Sequence, residues 1–282
     1  MYVLFDIGGT KTRVAVSRDL SGIDAIEKFD TPSLYAEGVA AIGAAVRKLV
    51  GEERVLGAAG GIRGRLMDGR AGLLKDDVLT DWQEKPLARD LEHIVGVSVM
   101  LENDAALAGL GETHFGAGRD YQIVAYHTVS TGVGGARIVN GEVDIYRSGF
   151  EPGHQIIDFD RTMCPECESG ELEDIVSGTA VERRFGKKPY EIPQEDPLWD
   201  QLARMLAHGL KNTIVYWSPD VIVLGGSMIV GDPRIPREAI VRHTEELIDG
   251  LVPLPPIVDA QFRDEGGLYG ALALLKRQKG SV

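Results

Sequence analysis

The chain reads as an α/β protein of two lobes, the first built on a largely parallel sheet. Three observations predict this. Apolar runs of strand length alternate with stretches of helical spacing through the first third of the sequence. Three glycine turns, Gly8-Gly9, Thr131-Gly132 and Gly225-Gly226, each leave an apolar strand. At 282 residues there is enough chain to bury two cores.

The elements follow in order. Strands are predicted at 2–5 and 13–16, joined by the tight turn in Asp6-Ile7-Gly8-Gly9-Thr10-Lys11-Thr12. Residues 38–50 place Ala, Ile and Val at helical spacing, and 54–60 form a short buried strand ending in glycine. A helix is predicted at 86–94, a strand at 97–101, and a helix at 104–112 capped by Asn103 or Asp104. Gly116-Ala117-Gly118-Arg119-Asp120 reads as the crossing between lobes. The pattern then restarts with a strand at 123–129, the turn Ser130-Thr131-Gly132-Val133-Gly134-Gly135, and a strand at 136–139. Asn140-Gly141 turns that strand into 142–144. The longest helix is expected at 201–217, stopped by Ser218-Pro219. Strands at 221–223 and 257–260 follow, then an apolar helix at 268–275 expected to fold back on the first lobe. The lobes are therefore expected over 1–116 with 267–282, and over 117–266.

Composition narrows the function. An apolar fraction of 44% and a charged fraction of 26% are those of an ordinary globular protein. The net charge of −13 argues against a nucleic-acid partner, which needs clustered Lys and Arg. It leaves room for a nucleotide, whose phosphates are met locally by amides, a lysine and a divalent cation. No apolar run reaches the roughly 20 residues of a membrane span. With a strand beginning at residue 2, no leader is expected, and the expected location is cytoplasmic.

Four places carry candidate chemistry. The first hairpin turn has no bulky side chains, so its N–H groups can close on a phosphate. Thr10, Lys11 and Thr12 add hydroxyls and a cation, and Asp6 is placed to hold Mg²⁺ directly or through water. A plain tight turn has the same sequence, so the repeat of the device at Thr131-Gly132 is what gives it weight. Glu102-Asn103-Asp104-Ala105 starts a helix at the carboxyl end of a strand, the edge that faces ligands in open α/β sheets. Asn103 can donate to and accept from a hydroxyl, and Asp104 can accept its proton, although a bare capping pair reads alike. Glu151-Pro152-Gly153-His154 sets a carboxylate and an imidazole in a glycine loop, a pairing suited to vicinal hydroxyls or to an ordinary surface loop. Cys164-Pro165-Glu166-Cys167, followed by Glu171 and Glu173, holds both cysteines of the chain.

Taken in order, Asp-Ile-Gly-Gly-Thr-Lys, Glu-Asn-Asp-Ala, Thr131-Gly132-Val133-Gly134-Gly135, Glu-x-Gly-His and Leu224-Gly225-Gly226 resemble the ROK family of sugar kinases and sugar-responsive repressors. The resemblance covers nearly the whole chain. It implies the two-lobed actin/hexokinase-like (ribonuclease H-like) ATPase fold with an interlobe cleft, and a homodimer. Asp104 would be the catalytic base, and Asn103, Glu151, His154 and Glu173 would bind sugar hydroxyls. Asp6, Gly8, Gly9, Thr10 and Lys11 would form the first phosphate loop, and Thr131 and Gly132 the second. Gly225 and Gly226 would lie against adenosine. Repressors of the family carry a helix-turn-helix ahead of the first phosphate loop, so a kinase is expected, using ATP and Mg²⁺ on a hexose or N-acetylhexosamine.

Two departures from the family pattern stand out. Its zinc loop, Cys-x-Cys-Gly-x-x-Gly-Cys-x-Glu, has here Cys164 at the first cysteine, Glu166 at the second and Glu171 at the third, with Cys167 at a glycine. His154, Cys164 and Cys167 remain as Zn²⁺ ligands, with Glu171 a fourth; a redox Cys-x-x-Cys and two reduced thiols are the other readings. Kinases of the family carry Pro-Asn-Leu-Pro-Gly-Trp, whereas this chain has Asp76-Asp77-Val78-Leu79-Thr80-Asp81-Trp82, without the asparagine that meets the sugar. A ligand-binding regulator without phosphoryl transfer and a sugar-independent ATPase or phosphatase are the rival functions.

Overall fold

The computed structural model describes residues 1–64, 66–67, 70–71 and 79–280. They fall into two compact units, Met1–His114 with Glu265–Val282, and Phe115–Asp264. The first opens with strands β1 (Tyr2–Ile7), β2 (Lys11–Ser17) and β3 (Ala25–Asp30), then helix α1 (Tyr35–Val50) and β4 (Gly57–Ile62). The short pair β5 (Leu66–Met67) and β6 (Arg70–Ala71), α2 (Leu87–Val95), β7 (Val99–Asn103) and α3 (Asp104–Phe115) complete that stretch. The second unit holds β8 (Ile123–Val129), β9 (Val133–Val139), β10 (Glu142–Val143), α4 (Leu172–Val176), α5 (Gly178–Phe185) and α6 (Leu198–Trp217). It ends with β11 (Val221–Gly225), α7 (Ser227–Val230), α8 (Arg237–Ile248) and β12 (Ile257–Asp259). Helix α9 (Gly266–Gly280) returns to the first unit.

Each unit is built on one sheet with the same arrangement. The first runs β3-β2-β1-β4-β7 and the second β10-β9-β8-β11-β12. In both, an antiparallel hairpin (β1/β2, β8/β9) lies beside parallel strands (β4 and β7, β11 and β12). The pairings Ile7↔Ile62 and Ile62↔Asn103 bring the ends of β1, β4 and β7 to one edge. In the second unit, Gly225↔Thr128 does the same for β11 and β8. Central strands are buried on both faces, which is why β1 and β11 are nearly unbroken apolar runs rather than alternating ones.

The first core gathers Val3, Phe5, Ile7, Ile42, Leu87 and Leu91 around Trp82. Its indole Nε1–H donates to the Pro32 carbonyl at 3.0 Å, and its ring meets Tyr35 edge-on with centroids 5.3 Å apart. The second core packs α6 and α8 over β8 and β11 through Trp199, Leu206, Leu210, Ile222, Leu224 and Ile240.

Several boundaries differ from those predicted. Strand β4 begins at Gly57 rather than residue 54, with Leu56 exposed ahead of it. Strand β9 begins at Val133, so the turn after β8 contains only residues 130–132. Helix α8 has no counterpart among the predicted elements: its buried Ala239, Ile240, Thr244 and Ile248 are separated by charged residues that dilute the apolar signal. Among the described residues, no helix is long and apolar enough to cross a membrane.

Candidate active site

In the first hairpin, the turn between β1 and β2 is braced by the protein itself. The Gly8 N–H donates to Lys11 O at 3.0 Å, and the Thr31 hydroxyl donates to Gly8 O at 2.8 Å. Gly9 and the exposed Thr10 stand at the tip. Thr12, predicted as a hydroxyl donor to a ligand, is instead buried and hydrogen-bonded to Thr31, because alternation along β2 turns it inward. Lys11 reaches outward, where its ammonium pairs with Asp30 of β3. Asp6 is half-buried and pairs with Arg13 at 3.1 Å, a cation that the sequence reading did not assign. One strand residue on each side of a hairpin, facing the same way, was the signal available for it.

At the neighbouring strand ends, β7 stops at Asn103 and α3 starts at Asp104. Asn103 is the cap. Its Oδ1 accepts from the Ala106 N–H at 3.0 Å, while its Nδ2 donates to Gly64 O at 2.9 Å. That leaves Asp104 as the first helical residue, half-buried, with Oδ1 accepting the Ala105 N–H at 2.8 Å. Its carboxylate is neither sealed in the core nor remote from the first hairpin, since both sit at the carboxyl edge of β1, β4 and β7.

In the second unit, Thr131 is exposed at the tip of the turn, and Ser130 N–H donates to Gly132 O at 2.8 Å. Gly226, at φ 88°, lies against the end of β8, where a Cβ would come within 2.3 Å of Val129 O. The turns carrying Thr131-Gly132 and Gly225-Gly226 are thus neighbours at one sheet edge. Glu151 precedes a short 3-10 turn, Pro152–His154, and is exposed; it borders a cavity of about 300 Å³ with Phe150, Asn212 and Trp217. His154 Nδ1 lies 2.8 Å from Glu171 Oε2. A carboxylate only accepts, so Nδ1 carries a proton. That hydrogen bond, with the charges of Glu171, Glu173 and Glu151 beside it, raises the His154 pKa above its usual value against the effect of burial. Glu173 Oε2 accepts the Val133 N–H at 2.6 Å. Glu151, His154 and Glu173 are therefore gathered near the second glycine turn, and Asn103 and Asp104 near the first.

The model of the ROK family matches residues 2–278. The chain belongs to the ROK family. It is 28% identical to an N-acetyl-D-glucosamine kinase of Histophilus somni, over 97% of this chain and 98% of that protein. It is 27% identical to a glucokinase of Streptomyces coelicolor, over 96% of both chains. Among solved structures, a ROK family glucokinase from Streptomyces griseus in complex with glucose and AMPPNP superposes with a TM-score of 0.78. It is 29% identical and is matched over 98% of this chain and 99% of that one. The two-lobed, hexokinase-like α/β fold of such kinases is the fold of this ROK protein.

The cysteine loop of this ROK chain is closed by a disulfide. Cys164 and Cys167 are bonded to each other, so neither sulfur is a thiolate ligand, while the His154 Nδ1–H bond to Glu171 leaves Nε2 as the nitrogen a metal would take. The expected ligand set of His154, Cys164 and Cys167, like the reading of two reduced thiols, requires this disulfide to be open. Among the described residues, no group of three or more His, Cys, Asp or Glu is arranged to hold a metal. Other bonds organise the loop. Buried Asp158 accepts the Cys164 N–H at 2.8 Å and the Met163 N–H at 3.3 Å, and Arg161 donates to Cys167 O at 3.0 Å. Asp158 was missed because nothing in its sequence neighbourhood marks it as more than a loop residue. Asp77 and Val78, at the place of the family's asparagine, lie outside the described residues.

Proposed function

We propose that this ROK protein transfers the γ-phosphoryl group of ATP to a primary hydroxyl of a free hexose or N-acetylhexosamine, most simply the 6-hydroxyl. The observation that carries the reading is Asp104, a half-buried carboxylate at the head of α3 on the same sheet edge as the first glycine hairpin. Its place there, and the kinases among its relatives, support a general base rather than a cap, since Asn103 already caps the helix.

In this mechanism the sugar oxygen attacks the γ-phosphorus, its proton passes to Asp104, and ADP leaves. Asn103, Glu151, His154 and Glu173 offer the donors and acceptors that hydroxyls require. The turns at Gly8-Gly9-Thr10 and Thr131-Gly132 take phosphate oxygens, Lys11 adds positive charge, and Gly225-Gly226 supports the adenosine. Mg²⁺ would offset charge on the phosphates, and Asp6 is the carboxylate that would hold it, directly or through water. Asp6 and Lys11 each hold a protein partner here, Arg13 and Asp30, and the reading requires those pairs to yield or share on nucleotide binding.

The test is coupled ADP release from Mg-ATP over glucose, fructose, mannose, allose, N-acetylglucosamine and N-acetylmannosamine. Release that depends on one or two of these sugars is expected. Sugar binding without ADP release would instead identify a regulator, and sugar-independent release an ATPase.

A further inference from the structure

We infer that Glu173 is a positioning residue that couples the hydroxyl-binding loop at 151–154 to the second phosphate turn at 130–132. The inference rests on the kinase reading above and adds a link between its two ligands. Glu173 is the second residue of α4, and one of its carboxylate oxygens is bonded to the turn through the Val133 N–H at 2.6 Å. The same carboxylate lies directly over Gly132. A Cβ there would meet Glu173 Oε2 at 2.5 Å, Cδ at 3.3 Å and Oε1 at 3.8 Å, its three nearest atoms. Gly132 is not in the left-handed region, so a side chain there is limited not by the backbone but by this carboxylate, which it would have to push aside.

The other end of the link is equally direct. Residues 155–157 and 170–172 pair as a short antiparallel ladder, with Ile157 N–H donating to Gly170 O at 2.8 Å and Leu172 N–H to Gln155 O at 3.0 Å. His154 precedes one side of that ladder and Glu173 follows the other, and the His154–Glu171 hydrogen bond crosses it. Beyond Glu173, Gly178 and Thr179 N–H donate to Ser130 O at 2.7 Å and Thr131 O at 3.3 Å. The loop, α4 and the turn are therefore joined by one run of hydrogen bonds. Oε2 holds the turn and leaves Oε1 to face a hydroxyl. A ligand that fixes either end fixes the other, which is a coupling free energy between two sites.

The experiment has two arms on the full chain. In the first, calorimetry measures binding of the sugar found by the ADP screen, without nucleotide. Gly132→Ala, a change in the phosphate turn, is expected to weaken sugar binding about fivefold or more, with no further cost in a Glu173→Ala background. Equal cost in both backgrounds would overturn the inference. In the second arm, hydrogen exchange at the 155–157 amides is followed on adding a non-hydrolysable ATP analogue alone. Slowing is expected in the wild type and in Glu173→Gln, whose side-chain carbonyl still accepts from Val133, but not in Glu173→Ala. Slowing in all three, or in none, would overturn it. If no sugar binds while the exchange result holds, the kinase reading falls and the link stands. Should Gly132→Ala fail to fold, the exchange arm decides.

Discussion

Asp104 and Asn103 are adjacent yet do different work, and the division follows from where the strand ends. Because Asn103 closes β7, its side chain takes the capping role, and Asp104 is released from it. Replacing Asn103 with Ala is expected to cost about 1 kcal/mol of stability from the lost cap, read as a lower urea midpoint, and to raise the sugar KM as well. Thr131 has the opposite profile. It is exposed at its turn and its side chain supports no core, so Thr131→Val is expected to raise the KM for ATP with Tm unchanged. An unchanged KM would remove that turn from the nucleotide site. His154 carries a pH signature. Its pKa is raised in the folded chain, chiefly by the Glu171 hydrogen bond, so the pair contributes fully below about pH 6.5 and fades as pH rises through the raised value. Tm profiles of wild type and His154→Gln should therefore converge toward alkaline pH; profiles that stay parallel would contradict the pairing.

At the scale of elements, two packing facts fix the site's supports. Helices α3 and α9 approach so closely that a Cβ at Gly270 would fall 1.9 Å from Leu107 O. Gly270→Val is expected to destabilise the protein by about 1–3 kcal/mol or more, measured by urea unfolding, because neither backbone can retreat without displacing the head of α3. The loop from Asp158 to Glu171 is held by its own disulfide and by Asp158. Mass spectrometry after alkylation of the unreduced, denatured chain should find neither cysteine labelled. Two labelled thiols together with one zinc per chain would show that a metal, not the S–S bond, closes the loop.

Across the whole molecule, the architecture was legible because each sheet opens with an apolar strand and a glycine turn, a pattern that local physics writes plainly into sequence. The glycine turns after β1, β8 and β11 could be read for that reason, and β8 ends at Val129 as predicted, whereas β1 and β11 each run two residues further than predicted, to Ile7 and Gly225. Helix α8 could not, since its buried residues are few and its charges many. The candidate residues were legible as residue types. Their partners were not: Arg13 on Asp6, Asp30 on Lys11 and Asp158 under the cysteines are contacts set by tertiary packing, which sequence spacing does not encode. His127 is a further case. It is fully buried, stacked on Trp217 with centroids 5.4 Å apart, and burial pushes its pKa down to about 4. It is neutral in the folded chain, so its linkage favours folding above about pH 6.5 and is lost as pH falls from there toward 4, about 3 kcal/mol over that window. With His154 fading on the alkaline side, these two side chains favour a stability maximum near neutrality. Unfolding free energy in His127→Leu should show a shallower slope between pH 6.5 and 4 than the wild type.

The claim on which the account rests is that the Asp104 carboxylate takes a sugar proton during phosphoryl transfer. Its most direct test is steady-state turnover of Asp104→Asn beside calorimetric sugar affinity for the same variant. Turnover lower by about 10²- to 10⁴-fold with sugar affinity nearly unchanged is the expected result. Turnover near that of the wild type would contradict it.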